Sequence, residues 1–308
     1  MNAINKTISV IEPVNEAIER TKTILFRPFN LEKWFIIGFC AWLAGLLEGS
    51  GGGGGYGGGH GHDGESQIPA QAIEFCRIHI VFIIFAVIAA VTIIAAVILV
   101  LLWLSSRGKF MFLDCLAKNK GHIIEPWKTF KKQANGLLGF RALLIAAAMI
   151  CMIPLGILTV WFFALLKSGD TGVIIAAAMF FVVMLVIIIA VSFFGTVGAL
   201  TFDFVVPIMY LQRTGIFTAW GKFLPMLWQN FWKIMLYLLF KVVILLCLGA
   251  ITAAMVLIGC CFCCISAVLF IPYIGTVVLL PLSSFYRLYT LCYFRQFGSE
   301  YDVFAAAV

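Results

Sequence analysis

Two groups of residues in this sequence have side chains that could bind a metal ion or carry redox chemistry. The first is His60, His62 and Asp63 in a glycine-rich stretch, where two alternate imidazoles and a carboxylate are acceptable metal donors. The competing interpretation is a solvated linker tip, because dense glycine opposes the preorganisation that a metal site needs. We favour the linker.

The second group is a run of cysteines. Cys260, Cys261, Cys263 and Cys264 form two overlapping C-x-x-C spacings, which can hold zinc or a redox disulfide because two sulfurs face one side of a turn. Cysteine is also a small apolar residue that is common in buried helices. Other cysteines occur singly in apolar runs, so we favour packing and expect neither a metal nor a cofactor.

Four charged residues lie within long apolar runs or near their ends: Arg141, Asp203, Lys241 and Arg287. A charge inside the membrane costs roughly 2.5–3.5 kcal/mol on insertion scales, so these are candidates for transport or lipid contact. For Arg141, Asp203 and Arg287 the sequence favours anchoring at the membrane surface, and Asp203 could pair with Arg287. Lys241 lies about 12 Å deeper than Lys233 and either lines a path or snorkels to the cytoplasm; we favour snorkelling.

No familiar catalytic motif is visible. The glycine run is not followed by the Lys-Ser/Thr of a phosphate-binding loop, and there is neither an H-E-x-x-H pattern nor an acidic cluster. We therefore expect a protein that is not an enzyme.

The composition is that of a membrane protein. Hydrophobic residues make up 63% of the 308 residues and charged residues only 11%, against about 25% charged in a typical soluble domain. The apolar runs are continuous and do not alternate, which favours membrane helices over a β-barrel. The net charge of +7 fits a bias toward the cytoplasm and anionic headgroups, so we expect no nucleic acid partner.

The apolar runs predict an all-α bundle of six membrane spans in one integral membrane domain covering residues 1–308. A mobile glycine-rich outer loop is expected at 49–66. The first run is short and could be re-entrant, but the charge distribution favours a crossing. The predicted spans are 34–47, 78–104, 142–166, 173–200, 231–258 and 265–291.

The distribution of basic residues predicts the orientation. With both termini in the cytoplasm, a basic loop at 107–141 also lies inside, and only Arg77 and Lys167 of the 21 lysines and arginines lie outside. Lys241 falls within a span. The positive-inside rule therefore predicts a multi-pass protein of the cytoplasmic membrane with both ends cytoplasmic.

Three short segments can be aligned as helix starts: 11–17, 124–130 and 217–223. Each carries Glu or Thr where a helix is capped and Pro or Ala as the next residue. Each precedes an apolar hairpin, which predicts three repeats of an interfacial helix plus a hairpin, at about 11–106, 107–201 and 202–295. The tetrapeptides 118–121, 212–215 and 295–298 are candidate repeat ends, and chance similarity among Phe-, Trp- and Lys-rich loops is the competing explanation.

An amphipathic helix is predicted at 13–26. Its apolar face could lie on the headgroups or pack against the bundle, and the sequence does not decide between the two.

The most motif-like part of this layout is 215–220, which reads Gly-Ile-Phe-Thr-Ala-Trp. With it, the layout of polar helix, Trp- and Phe-rich approach and apolar hairpin resembles uncharacterised prokaryotic membrane proteins similar to the membrane domain of glycerophosphodiester phosphodiesterases. The resemblance covers most of the chain and implies a six-span fold. It implies no site, since that membrane domain has no agreed activity and no catalytic domain accompanies it here.

The expected function is a non-enzymatic membrane component that organises lipids or membrane partners through its basic interfacial helices. Anionic headgroups at the cytoplasmic face, a membrane protein partner or a second copy of the chain are the expected partners. The alternative is a transporter or channel with a path between the repeats near Lys241. A polar cavity at the membrane midplane would favour transport, and a solid core would favour the organising role.

Overall fold

The computed structural model of the chain describes residues 8–47, 80–167, 173–261 and 271–305. In these ranges 88% of the residues are helical and none lies in a strand, so the prediction of an all-helical fold is confirmed. In chain order the helices are α1 (Glu12–Phe26), α2 (Leu31–Gly45), α3 (Ile80–Lys118), α4 (Ile124–Thr129), α5 (Lys131–Lys167), α6 (Val173–Leu200), α7 (Val206–Gln212), α8 (Ile216–Gln229), α9 (Phe231–Cys261), α10 (Pro272–Val278) and α11 (Leu280–Arg295).

Four helical stretches in the described part of the chain are long and apolar enough to cross a membrane. Each is 29 to 35 residues long, which exceeds the roughly 20 apolar residues that a crossing needs. Their most apolar segments have a mean hydropathy of 2.6 to 3.2. The chain is therefore a multi-pass membrane protein. The stretches are Ile84–Lys118, Lys131–Phe162, Met179–Gln212 and Phe231–Gly259.

The first and last predicted spans correspond to shorter helices. At 34–47 the structure has the 15-residue α2, whose first turn is capped by the side chain of Asn30. Toward 265–291 it has α10 and α11, separated at Leu279. Each of these helices by itself is shorter than the roughly 20 residues of a full crossing.

The segment 107–141 is mostly helical, which corrects its prediction as a loop. Helix α3 continues to Lys118, and α5 begins at Lys131. The helix continues because buried side chains such as Phe110 and Leu113 extend its core-facing surface beyond the apolar run. The segment 203–212, which also follows an apolar run, is helical for the same reason.

The core lies at one end of the long helices. In α3, every described side chain from Phe82 to Val100 is exposed, whereas residues 105–116 are all buried. Helix α3 thus has an apolar outer half and a core half that packs against other helices. Exposed apolar surface of this extent is typical of contact with lipid or with another membrane protein.

Helices α2 and α3 cross at very short range. A Cβ atom on Gly108 would lie 2.5 Å from the backbone nitrogen of Ala44 and 2.6 Å from the carbonyl carbon of Leu43. Ser105 Oγ donates a hydrogen bond to the Ala44 carbonyl at 3.0 Å in the same region. A small residue at such a crossing lets two membrane helices approach closely.

Helix α1 packs against α11 at the other end of the chain. Ala17 is fully buried, Arg295 lies 2.6 Å from the Glu16 carboxylate, and Tyr289 donates to the Val10 carbonyl at 3.1 Å. Of the two alternatives for this amphipathic helix, packing against the bundle is the one observed.

The predicted capping pattern at the aligned helix starts is wrong. Glu12 and Glu125 lie inside the first helical turn, and Thr218 lies within α8, so none of them is the residue before its helix. A carboxylate in the first turn still interacts favourably with the helix dipole. The residues before the three helices make no side-chain cap; they are Ile11, Ile123 and Gly215.

Candidate functional site

Asp203 lies in a π-helical turn, Thr201–Val205, that joins α6 to α7. Such turns insert an extra residue, which changes the direction of the following side chains, and they are frequent at functional sites. Asp203 is fully buried, as is Phe204 beside it. The predicted anchoring of Asp203 at the membrane surface is therefore wrong, because the helix does not end at Leu200.

Lys241 on α9 is the main partner of Asp203. Its Nζ lies 2.5 Å from each carboxylate oxygen, and the residue is only 6% exposed. The ring of Tyr286 lies 4.4 Å from the same ammonium and adds a cation–π contact. The predicted snorkelling is therefore wrong, because a carboxylate inside the protein supplies the partner that hydrocarbon lacks.

Arg287 on α11 lies on the other side of Asp203. The residue is 2% exposed, and its Nη1 donates to the Phe202 carbonyl at 2.8 Å and lies 3.9 Å from Asp203 Oδ1. Its guanidinium also lies 3.9 Å from the Phe202 ring, and Lys109 of α3 lies 4.3 Å from that ring. The pairing of Asp203 with Arg287 that the sequence allowed is present, but it is buried in the core.

Tyr237 and Thr290 complete the hydrogen bonding around the carboxylate. The Tyr237 hydroxyl donates to Asp203 Oδ2 at 3.2 Å and lies 2.8 Å from Thr290 Oγ1. Tyr237 is fully buried and stacks on Tyr293 with 4.4 Å between ring centroids. Tyr237 is absent from the residues predicted from the sequence, although its position one helical turn before Lys241 indicates a shared helix face.

We call the residues Asp203, Tyr237, Lys241, Arg287 and Thr290 the Asp203 cluster. The π-helical turn, α9 and α11 each contribute at least one member, so the cluster joins three parts of the chain that are distant in sequence. A buried network of ion pairs and hydrogen bonds of this kind holds these parts of the core together. Its charges can exchange a proton or an ion only when the pair between Asp203 and Lys241 opens.

A second buried cation, Arg107, lies on α3 against two indole rings that also contact each other. Its guanidinium carbon lies 4.7 Å from the Trp103 ring and 4.6 Å from the Trp127 ring, and Nη1 donates to the Trp127 carbonyl at 3.3 Å. Nearby, Arg141 of α5 donates to Ser105 at 3.0 Å. Arg141 thus links α5 to α3 through this bond. Arg107 is absent from the residues predicted from the sequence, because its local sequence does not distinguish it from the other basic residues of the segment 107–141.

Asp114, another buried acid, lies in the core half of α3 and has two partners. It accepts from the Tyr210 hydroxyl at 2.8 Å and lies 3.1 Å from Lys118. This contact connects the end of α3 with α7, which is also joined to the Asp203 cluster through the π-helical turn.

The predicted metal ligands fall mainly outside the described residues. This holds for His60, His62, Asp63, Cys263 and Cys264, while Cys260 and Cys261 are the last residues of α9. Among the residues that the structure describes, no group of three or more His, Cys, Asp or Glu side chains comes together.

One cysteine contact does appear in the core, and the sequence did not predict it. Cys40 on α2 and Cys115 on α3 are both buried, with 3.9 Å between their sulfurs. Cys115 also lies 3.5 Å from the His122 carbonyl as a weak donor.

Comparison with known proteins adds a family and no activity. No curated protein and no solved structure matches the chain. A sequence profile matches residues 8–275, which include all of the Asp203 cluster except Arg287 and Thr290, as well as Arg107 and its two tryptophans. The chain therefore belongs to a family of unknown function, DUF7544.

Proposed function

We propose that this protein is a non-enzymatic membrane component that organises anionic lipids and membrane partners at the cytoplasmic face. The observation that carries the proposal is the contrast between the two halves of α3: outer side chains from Phe82 to Val100 are exposed, and residues 105–116 are buried. Helices that expose apolar surface over this length are suited to contact with lipid or with another membrane protein.

The packing of the core supports an organising role over a passage. Phe110 stacks on Phe130 at 5.6 Å, and Phe204 stacks on Phe223 at 5.1 Å, with the ring planes within 13° in both pairs. Phe130 stacks further on Tyr210 at 4.9 Å. Aromatic rings packed in this way fill the space that a polar path would need.

We further propose six spans, with α2 crossing the membrane next to the chain that contains α10 and α11. Two hydrogen bonds between α2 and α10 support this pairing. Trp34 donates from its indole to the Val277 carbonyl at 2.9 Å, and Tyr273 donates from its hydroxyl to the Phe35 carbonyl at 3.0 Å. Both termini then lie in the cytoplasm, as the distribution of basic residues predicts.

The burial pattern of the aligned helix starts supports three repeats. The third and seventh residues of each aligned segment are buried, and the two stacked pairs, Phe110 with Phe130 and Phe204 with Phe223, use the seventh residue of the second and third segments. One buried frame in three places supports repeats over chance similarity. The buried pairs are Pro13 and Ala17, Pro126 and Phe130, and Ala219 and Phe223.

The three candidate repeat ends each coincide with the end of a helix. Helices α3, α7 and α11 end at Lys118, Gln212 and Arg295, which are the first residues of the three aligned tetrapeptides. A hydrogen bond joins each of these three regions to the start of an apolar helix that precedes it in the chain. These bonds are Lys33 to Asn119 at 2.6 Å, Gln133 to the Arg213 carbonyl at 3.1 Å, and Tyr293 to the Lys233 carbonyl at 2.9 Å.

Native mass spectrometry tests the lipid role. The chain is reconstituted in nanodiscs with equal amounts of phosphatidylglycerol and phosphatidylcholine. The protein is then released from the nanodisc in the mass spectrometer, and the lipid molecules that remain bound to it are counted. We expect more phosphatidylglycerol than phosphatidylcholine, because exposed basic residues attract anionic headgroups. Equal retention of the two lipids by the unmodified chain would contradict the proposal.

One observation favours transport as the rival function: a titratable ion pair is buried beside a π-helical turn. In proteoliposomes that contain a pH-sensitive dye, a proton leak that Asp203→Asn abolishes would favour transport. An equal leak with and without the protein favours the organising role.

A further inference from the structure

Arg107 is a buried cation whose charge has no acidic partner in the described part of the chain. The residue is 6% exposed, and no carboxylate oxygen of the described residues lies within 4.0 Å of its guanidinium. Nη1 bonds only to the Trp127 carbonyl, and Nε is buried without a hydrogen-bond partner. A buried charge normally needs an ion of opposite sign and bonds for all its donors, so this guanidinium lacks an anion.

The surroundings of Arg107 indicate where that anion comes from. Trp103 and Trp127 lie against its guanidinium and contact each other edge to face at 5.6 Å. Tryptophan is enriched where the hydrocarbon meets the headgroups, and Arg107 follows directly on the apolar run of α3. In the proposed topology this position corresponds to the depth of the phosphates of the cytoplasmic leaflet.

Three lysines that follow Trp127 in the sequence add positive charge near this site. Lys128 follows Trp127 in α4, and Lys131 and Lys132 open α5, whose first turn contains no acidic residue. All three lysines are exposed. Lysines at the start of a helix oppose the helix dipole, and a bound anion would relieve that repulsion. Glu125 of α4 lies 3.6 Å from Lys118, with which it pairs.

We propose that Arg107, held against Trp103 and Trp127, binds the phosphate group of an anionic phospholipid of the cytoplasmic leaflet. The planar guanidinium matches two phosphate oxygens, and the contacts with the two indole rings fix its position. The lysines of α4 and α5 add attraction for the headgroup. This assignment rests on the proposed lipid-organising function and gives it a specific site.

The test measures retained phosphatidylglycerol by native mass spectrometry, in nanodiscs with phosphatidylcholine as the competing lipid. Arg107→Gln is expected to lower the affinity for phosphatidylglycerol about tenfold or more, as loss of hydrogen bonds to a charged group predicts. The matched control is Lys222→Gln, which removes one exposed charge from α8 and is expected to leave the affinity within about twofold. An equal effect of both substitutions, or no effect of Arg107→Gln, would overturn the site.

A second variant keeps the test decisive if Arg107→Gln fails to fold. Arg107→Lys keeps the charge but loses the planar fork, and it is expected to lower the affinity several-fold. Affinity equal to that of the unmodified chain would overturn the assignment. If the unmodified chain prefers neither lipid, the proposed function itself fails, whereas a preference that survives both substitutions removes only this site.

A final arm separates a lipid from free phosphate. Inorganic phosphate is added at millimolar concentration to the unmodified protein in the same nanodiscs. We expect phosphatidylglycerol to remain bound, because the acyl chains hold its phosphate at the membrane surface. Release of the lipid together with an adduct of phosphate mass that Arg107→Gln abolishes would assign the site to the free anion and overturn the lipid proposal.

Discussion

At the scale of single residues, the stability of the core depends on what faces the Asp203 carboxylate. Without Lys241, Asp203 would keep the Tyr237 hydroxyl at 3.2 Å and the Arg287 guanidinium at 3.9 Å, and it would lose its shortest contacts. Removing one partner of a buried ion pair is strongly destabilising, whereas replacing both by neutral groups is often harmless. The effect of changing Lys241 is therefore set by the residue at position 203.

We predict that Lys241→Met lowers the free energy of unfolding by about 3–5 kcal/mol, because Asp203 is left as a buried charge without its main partner. The double variant Asp203→Asn with Lys241→Met is expected to recover part of this loss and to stay less stable than the unmodified chain, because Arg287 loses the charge of Asp203 at 3.9 Å. Equilibrium unfolding in one detergent measures both, and Lys222→Met on the exposed face of α8 is the control. If Lys241→Met proves as stable as the unmodified chain, the lysine is an anchor and the pair has no structural role.

At the scale of helices, the contact between α2 and α3 depends on a single glycine. The atoms nearest to an added Cβ at Gly108 belong to the backbone of Leu43 and Ala44, at 2.5 to 2.6 Å, and a backbone cannot rotate away as a side chain can. The bonds of Ser105 to Ala44 and of Arg141 to Ser105 lie along the same interface. A methyl group at position 108 would therefore separate the helices and strain these bonds.

We predict that Gly108→Ala costs about 1–3 kcal/mol of stability through overpacking. Gly221→Ala on α8 is the matched control, because no atom lies within 4 Å of the added carbon and alanine favours a helix over glycine by about 1 kcal/mol. Thermal unfolding should show a lower melting temperature for the first variant and an equal or higher one for the second. A melting temperature that changes equally in both would contradict a close crossing at Gly108.

At the scale of the whole molecule, contacts between the chain ends close the arrangement of helices. Helix α1 lies on α11, where Arg295 pairs with Glu16 and the Gln296 side chain bonds the backbone of Ser9. Helix α4 contacts α3, and α8 contacts the π-helical turn after α6. In the proposed repeats, each interfacial helix therefore packs on the last helix of the preceding unit, and α1 completes the cycle by packing on the third.

This arrangement predicts that the three interfacial helices lie on one side of the membrane. Lys22 of α1, Lys128 of α4 and Lys222 of α8 are exposed, so an amine-reactive reagent that does not cross membranes should modify all three in inside-out vesicles and none in intact cells. Mass spectrometry assigns the modified residues, and buried Lys241 is expected to stay unmodified in both preparations. Modification of any of the three lysines in intact cells would remove the proposed topology.

Several features of this protein follow from the sequence alone, because they depend on neighbouring residues. A continuous apolar run is a local property, so the predicted start of α9 agrees with the structure at Phe231, whereas the run predicted to end at Leu200 continues as a helix through the π-helical turn into α7. The helix predicted at 13–26 runs from Glu12 to Phe26, since its spacing and Pro13 are local signals as well. The class of multi-pass helical membrane protein rests on the same kind of information.

Tertiary structure decided which charges belong together. Asp203 and Lys241 are 38 residues apart in the chain and meet only because α6 continues through a π-helical turn toward α9. Arg107 and Trp127, 20 residues apart, meet because α3 extends beyond its apolar run to where α4 packs on it. A charged residue at the end of an apolar run has the same local sequence whether it faces a headgroup or a buried partner. Only the packing of distant helices determines which of the two it contacts, because that packing decides whether water, lipid or another side chain is within reach.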